Sequence, residues 1–108
     1  MSSEKLLVRE AKRRAQIFRN IDKYLKAIGE KVKKLDKNAE AYLFGSVAEG
    51  KHLLSSDIDI LVVTDMPPAQ VIAELGRSGI TDPFEIHVAS KNMLELYKIR
   101  AKLIKITE

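Results

Sequence analysis

Residues 43–63, LFGSVAEGKHLLSSDIDILVV, contain the pattern that most restricts how this chain of 108 residues can fold. An apolar run ends at Gly45-Ser46, and after ten intervening residues Asp57 and Asp59 introduce a second apolar run. Because side chains alternate along a strand, these two carboxylates project from one face and the apolar residues around them from the other. The pattern predicts two strands joined by a turn and a loop, the second strand having one acidic and one buried face.

The spacing of the two aspartates indicates a metal site. Their backbones would lie about 6–7 Å apart in an extended strand, where two negative charges repel unless a cation lies between them. Carboxylate oxygens suit a hard divalent cation such as Mg²⁺. Gly45 permits close backbone approach, and Ser46 can cap a short helix whose free N–H groups attract phosphate. A phosphate site beside a metal site predicts phosphoryl or nucleotidyl transfer.

The composition excludes several other classes of protein. The chain has no cysteine, which excludes disulfides, thiolate metal sites and a thiol nucleophile. Three Phe, three Tyr and no Trp argue against a stacking surface for single-stranded nucleic acid. The N-terminal residues MSSEKLLVREAKRR lack the apolar core of a signal peptide, and no apolar run approaches membrane-spanning length. We therefore expect a soluble cytoplasmic protein without membrane contact.

Positive charge is concentrated in the first third of the chain. Residues 1–37 contain twelve Lys or Arg against five Asp or Glu, whereas residues 38–108 contain seven against ten. A basic segment can meet nucleic acid, an acidic protein partner or the phosphates of a nucleotide. It can equally be the solvated, lysine-rich face of a helix. Charge alone is the weakest argument for a function, so direct nucleic-acid binding is not the leading hypothesis.

Hydrophobic periodicity predicts a single α/β domain over residues 1–108. One long N-terminal helix, or two in line, should span residues 4–35, with a bend at Gly29 and an apolar stripe that packs on the sheet or extends past it to a partner helix. The small mixed sheet should have three strands, at residues 39–44, 57–64 and 84–89. Shorter flanking helices are predicted at residues 46–50, 68–75 and 92–105, the last with Met93, Leu96, Ile99 and Leu103 facing inward.

The stretch from Gly45 to Val63 resembles the signature of the polymerase-beta-like nucleotidyltransferases: Gly-Ser, ten residues, then Asp, any residue, Asp. Gly45, Ser46, Asp57 and Asp59 match it residue for residue. The length of the chain resembles that of the minimal nucleotidyltransferases, which carry little beyond the catalytic core. The resemblance implies a polymerase-beta-like nucleotidyltransferase fold. It also implies Mg²⁺-dependent transfer of a nucleoside monophosphate, AMP foremost, from ATP or another nucleoside triphosphate to a hydroxyl.

The family places a third carboxylate on a neighbouring strand, and Glu85 is the candidate. Phe84, Ile86 and Val88 should face one way and Glu85 and His87 the other. The alternative is that the face with Glu85 and His87 is exposed to solvent and has no function. The resemblance implies that Asp57, Asp59 and Glu85 hold two Mg²⁺ ions. It implies that Gly45, Ser46 and, with less support, Lys51 contact the triphosphate. Glu49 departs from the family, many members of which carry Arg or Lys there. His87 is either a metal or phosphate ligand or a residue of the polar face without a role.

The resemblance also suggests a partner. Minimal nucleotidyltransferases are commonly encoded beside small helical HEPN proteins in pairs that resemble toxin–antitoxin systems. There the transferase is the antitoxin and adenylylates a tyrosine of the partner. The main alternative is a module that neutralises a partner by binding alone, and a further one is a transferase acting on a small molecule such as an aminoglycoside. The resemblance is compatible with assembly as a homo-oligomer and as a hetero-oligomer.

Overall fold

A computed structural model describes residues 3–108. Helices and strands alternate through most of the chain, as the periodicity predicts. In chain order the elements are α1 (Ser3–Arg19), α2 (Ile21–Leu35), β1 (Glu40–Phe44), α3 (Gly45–Ala48), β2 (Ile58–Val63), α4 (Pro68–Arg77), β3 (Phe84–Ala89), α5 (Lys91–Arg100) and β4 (Ile104–Lys105). In the part of the chain described, no helix is long and apolar enough to cross a membrane.

The strands form one mixed sheet in the order β3-β2-β1-β4. β1 is antiparallel to both β2 and β4, whereas β2 and β3 are parallel. The three predicted strands are confirmed, and the fourth is an addition at the edge of the sheet. In this register Asp59 lies opposite Phe44 on one side and opposite Glu85 on the other. The topology therefore places the second aspartate of the motif at the centre of three neighbouring strands.

The two faces of the sheet are covered unequally. The first face packs against α2, α4 and the end of α1, and its centre is fully buried through Ile58, Ile60 and Val62. The second face has a smaller cluster around Leu61 and Val63, covered by α5. Because alternate residues of a strand share a face, Asp59 lies on this second face too. It precedes the part that α5 covers.

The N-terminal helix is broken at Asn20 and not bent at Gly29. Asn20 has φ −112° and ψ 28°, and its side-chain amide donates to the Gln16 carbonyl oxygen over 2.9 Å. Asparagine competes with the helix in this way because its short polar side chain can reach nearby backbone groups. Gly29 is instead a packing residue: a Cβ there would lie 2.5 Å from the carbonyl oxygen of Ile106. The stripe predicted along α2 is confirmed, and Ile17 joins it.

The prediction for the C-terminal region is wrong in two respects. The last helix ends at Arg100, and residues 104–105 form β4, paired with β1 through Leu43↔Ile104 and Tyr42↔Lys105. Three of the residues predicted to face inward are exposed, Met93 by 44%, Leu96 by 46% and Ile99 by 81%, whereas Leu103 packs on the sheet as predicted. Leu94 and Tyr97 pack on the sheet in their place. Both sets have helical spacing, so periodicity could not choose between them.

Candidate active site

The site is an acidic cluster on the second face of the sheet, where β2 and β3 begin. Asp59 and Glu85 occupy paired positions of the two parallel strands, and His87 is two residues further along β3 on the same face. The potential ligand atoms of these three side chains all lie within 4.8 Å of one another. His87 Nε2 is 3.1 Å from Asp59 Oδ1 and 3.7 Å from Glu85 Oε1. One imidazole nitrogen thus lies beside both carboxylates.

Aromatic packing holds His87 in place. Its ring meets Phe44 edge to face at a centroid distance of 5.0 Å, and Phe44 meets Tyr97 of α5 in the same way at 5.9 Å. The exposed fraction of the side chain rises from 25% at Asp59 to 34% at His87 and 54% at Glu85. The cluster is therefore supported from the α5 side and open to solvent at Glu85. A solute can approach it there.

Gly45 is required by the cluster rather than only by the turn after β1. Its φ is +75°, a conformation that L side chains rarely adopt. A Cβ at this position would overlap Oδ2 of Asp59 and lie 3.3 Å from Cγ. The sequence predicts close backbone approach at Gly45, and the structure shows that the approaching group is the Asp59 carboxylate. The turn and the strand that carries Asp59 are therefore one packed unit.

The other predicted phosphate contacts surround this turn. Phe44 occupies the N-cap of α3, so Ser46 lies inside the helix and its predicted capping role is wrong. Ser46 is half-buried, and its carbonyl oxygen accepts a hydrogen bond from the Lys51 N–H over 2.9 Å. Lys51 and Glu49 are exposed. The roles of Ser46 and Lys51 in binding phosphate stay predictions.

Asp57 is the predicted metal ligand that the structure does not bring into the cluster. It is exposed, directly precedes β2, and within residues 3–108 does not belong to the group of ligand atoms around Asp59. Asp59 and Glu85 are thus brought together, His87 joins them, and Asp57 stands at the edge of the site.

Arg14 is a supporting residue that sequence reasoning missed. Its side chain, only 15% exposed, donates to the Ser56 carbonyl oxygen over 3.2 Å and to the Asp82 carboxylate over 3.2 and 3.3 Å. Ser56 and Asp82 lie in the two segments that lead into β2 and β3. One guanidinium on α1 therefore ties together the entrances to both strands of the cluster. No local pattern signals this role, because the partners are 42 and 68 residues away.

The donor set fits a divalent cation. Two carboxylates are hard oxygen ligands that suit Mg²⁺ or Mn²⁺, and imidazole adds a nitrogen that binds transition metals well. The half-exposed position leaves room for further ligands from a substrate. A divalent cation held by these ligands can neutralise phosphate charge beside an acceptor group.

Fold and site together define the class of protein: a mixed α/β sheet that presents carboxylates beside a Gly-Ser turn is the arrangement of the nucleotidyltransferases. The chain belongs to the nucleotidyltransferase domain family, whose profile matches residues 21–108. This confirms the family and the fold class expected from the motif. The family match begins at the start of α2, so α1 lies outside it.

Solved structures agree with this assignment. One crystal structure, of a "putative nucleotidyltransferase", is 30% identical with a TM-score of 0.62, over 76% of this chain and 96% of that one. Another, from Sulfolobus solfataricus and also called a "putative nucleotidyltransferase", is 28% identical with a TM-score of 0.61, over 85% of this chain and 84% of that one. No curated protein matches the chain.

Proposed function

We propose that the chain is a Mg²⁺-dependent nucleotidyltransferase that moves a nucleoside monophosphate, AMP foremost, from a nucleoside triphosphate to a hydroxyl. The observation that carries the proposal is the pairing of Asp59 with Glu85 beside Gly45. Family membership supports transfer in general. The choice of AMP and of the acceptor rests on the resemblance of the motif to that of the polymerase-beta-like nucleotidyltransferases.

The residues of the chain have separate tasks in this reaction. Asp59 and Glu85, with Asp57 at the edge, would hold two Mg²⁺ ions. When bound, these ions neutralise the phosphates and acidify the acceptor hydroxyl. Gly45, Ser46 and Lys51 would orient the β- and γ-phosphates. The hydroxyl oxygen forms a bond to the α-phosphorus, the bond from that phosphorus to the bridging oxygen breaks, pyrophosphate leaves and the proton passes to water. Positioning and charge neutralisation supply the rate, since no covalent intermediate is needed.

The proposed acceptor is a tyrosine hydroxyl of a small helical HEPN-type partner, which would make the chain the antitoxin of a pair. The support is the resemblance of the Gly45–Asp59 motif to that of the polymerase-beta-like nucleotidyltransferases, together with a chain length that resembles that of their minimal members. The exposed apolar residues of α1 favour a protein partner over a small molecule, because Leu6, Leu7 and Val8 are each more than half exposed.

The experiment is a transfer assay with Mg²⁺ and α-labelled ATP, with and without the partner, followed by detection of label on protein. Asp59→Asn and Glu85→Gln should each reduce labelling at least about a hundredfold, an effect of the size found when groups that stabilise a transition state are removed. Asp57→Asn shows whether that residue takes part. Glu95→Gln is the control, because Glu95 is a carboxylate of α5 with a side chain 75% exposed.

The outcomes separate the two candidate functions. Label lost in the site variants and kept in the control supports the transferase. Tight binding of the partner with no label, unchanged by Asp59→Asn, supports a module that neutralises by binding alone. Labelling that survives both site variants contradicts the proposed site.

A further inference from the structure

The first half of α1 presents apolar side chains to solvent. Leu6 is 52% exposed, Leu7 70% and Val8 53%. The second half of the same helix is anchored through Ile17, which is 5% exposed. α1 thus projects from the domain with an apolar surface that the domain does not cover. A surface of this kind typically marks a site of association.

A groove of about 490 Å³ runs between α1 and the loop before β2. It is lined by Ala11 and Arg14 of α1 and by Leu53, Leu54 and Ser55 of the loop, and we call it the α1 groove. Leu53 is 70% exposed and Leu54 45%. The groove is therefore apolar on its loop side and open along its length.

The walls of the α1 groove are held together by specific contacts. Phe18 stacks on His52 of the loop at a centroid distance of 4.7 Å and an angle of 3°. Arg14 donates to the Ser56 carbonyl oxygen over 3.2 Å. Leu7 and Ala11 share the Phe18 face of α1 by helical spacing, so the apolar face that lines the groove extends along the helix to Leu7. The groove is a formed feature of the fold.

Charge distinguishes between the occupants that an open apolar groove can take. α1 contains six basic and two acidic residues. Lys12 beside Ala11 and Lys51 at the start of the loop are exposed, and neither forms an ion pair with any residue from 3 to 108. A second copy of α1 would bring like charges together, which disfavours self-pairing. An acidic partner would meet complementary charge.

We propose that the α1 groove is a docking surface for an acidic, amphipathic helix of a partner protein. Its apolar side chains at helical spacing would pack on Leu7, Leu53 and Leu54, and its flanking carboxylates would face Lys12 on α1. The groove lies outside the region of the family match on its α1 side. The surface thus combines a loop within the family match with a helix outside it.

The docking surface adjoins the candidate active site through the chain itself. The loop that forms one wall continues directly into Asp57 and β2. A protein docked there would contact the segment that leads into Asp57. The inference deepens the proposed function by naming the surface that receives a protein, and rests on it only for that protein's role as acceptor. Binding is measured without nucleotide, so the two proposals can fail separately.

The test uses three synthetic labelled helices of about 18 residues, long enough to span several turns. The first carries a leucine stripe flanked by glutamate, the second the same stripe flanked by lysine, and the third the glutamates with the stripe scrambled. Fluorescence anisotropy measures binding to the full chain and to Leu53→Ser/Leu54→Ser and Leu7→Ser variants. Ile99→Ser is the control, since Ile99 is 81% exposed on α5. Circular dichroism verifies that each variant folds.

The first helix should bind at least about tenfold more tightly than either of the others, since each wrong partner loses a main component of the contact. The Leu53→Ser/Leu54→Ser and Leu7→Ser variants should weaken it by about five- to tenfold, and Ile99→Ser should not. The proposal is overturned if the lysine helix binds equally well or if the groove variants bind normally. It is also overturned if α1-dependent dimers form in sedimentation, or if duplex RNA or DNA displaces the peptide from the groove.

Discussion

At the scale of single residues, Gly45 joins the turn to the acidic cluster, because its missing Cβ leaves the space that the Asp59 carboxylate occupies. Gly45→Ala should push this carboxylate away from Glu85. It should also strain the backbone by about 1–2 kcal/mol, since φ is +75°. We expect at least about a tenfold loss of Mn²⁺ affinity, which corresponds to 1.4 kcal/mol. Isothermal titration with Mn²⁺ measures the affinity, and urea unfolding measures the stability.

Gly50→Ala is the matched control for this prediction. Gly50 has φ +71°, so an added Cβ carries a similar backbone cost, but no heavy atom lies within 4 Å of that Cβ. Stability should therefore fall as in Gly45→Ala, while Mn²⁺ affinity should stay at the wild-type value. Equal losses of affinity in the two variants would show that the overlap with Asp59 is unimportant.

His87 should influence which metal the site prefers. Its Nε2 lies 3.1 Å from Asp59 Oδ1, so it can share an ion with that carboxylate. Imidazole favours transition metals over Mg²⁺. His87→Ala should therefore lower the affinity for Mn²⁺ more than the affinity for Mg²⁺. The ratio of Mn²⁺ affinity to Mg²⁺ affinity should fall about fivefold or more, which is a smaller change than the loss of an imidazole ligand from a metal complex in water would cause.

Titrations in which Mn²⁺ and Mg²⁺ compete for the site measure this ratio, and His52→Ala is the control. His52 stacks on Phe18 in the loop and does not belong to the ligand group of Asp59. Its removal should leave the ratio of Mn²⁺ to Mg²⁺ affinity unchanged. A ratio unaffected by both histidine variants would assign His87 to the polar face without a role at the metal.

At the scale of elements, the sequence predicts what local pattern determines. The third strand is predicted with its observed ends, Phe84 and Ala89, because apolar and polar residues alternate along it. Two helices in line were among the predictions, but the position of the break was missed although its cause is local, the bond from the Asn20 amide to the Gln16 carbonyl oxygen. The inward side of α5 was missed because it depends on contacts elsewhere in the chain. In α5 the pair Leu94 and Tyr97 has the same spacing as the exposed Met93 and Leu96, and only packing on the sheet distinguishes them.

Gly29 tests how far tertiary packing overrides helix propensity. Alanine is favoured over glycine inside a helix by about 1 kcal/mol. At Gly29, however, the new Cβ would lie 2.5 Å from the backbone oxygen of Ile106, so the segment after β4 must move. Gly29→Ala should lower the free energy of unfolding by about 1–3 kcal/mol, as overpacking does. Urea denaturation provides the measurement.

Gly76→Ala provides the opposite expectation within a helix. Gly76 lies near the end of α4, and no heavy atom is within 4 Å of an added Cβ. The substitution should raise the free energy of unfolding by about 0.4–1 kcal/mol. Stabilisation by both substitutions would contradict the close contact between α2 and the segment around Ile106.

At the scale of the whole molecule, the candidate site was only partly predictable. The Gly45 turn and the strand of Asp59 follow from one continuous motif. Glu85 follows from the third carboxylate that the family resemblance implies, together with alternation in β3. The contact between His87 and Asp59 depends on the parallel register of β2 and β3, which no local pattern specifies. Arg14 forms hydrogen bonds with residues 42 and 68 positions away in the sequence. Residues of this kind become visible only when the distant segments that they join are placed in space.

Asp36 and Thr64 form another such long-range contact, joining the end of α2 to the end of β2. The Thr64 hydroxyl donates to Asp36 Oδ2 over 2.6 Å, and Thr64 is 4% exposed. This hydrogen bond is the main reason why the pKa of Asp36 is below its ordinary value of 3.8, followed by the bond from the Asn38 N–H. A lowered folded pKa means that the unfolded chain binds the proton more readily. The stabilisation is thus complete above about pH 4–5 and disappears as the pH falls through the folded pKa.

Thr64→Val should remove most of this pH-dependent stabilisation. We expect the free energy of unfolding to fall by about 1–2 kcal/mol at neutral pH, where the ionised carboxylate loses its donor. The loss should be smaller at acid pH, where Asp36 is protonated in both states. Urea unfolding across this pH range measures the difference, with the exposed Thr81→Val as a control expected to change little at any pH. A loss of equal size at neutral and acid pH would assign the effect to packing around the buried Thr64, because a contribution from the Asp36 charge must vanish when that charge is titrated.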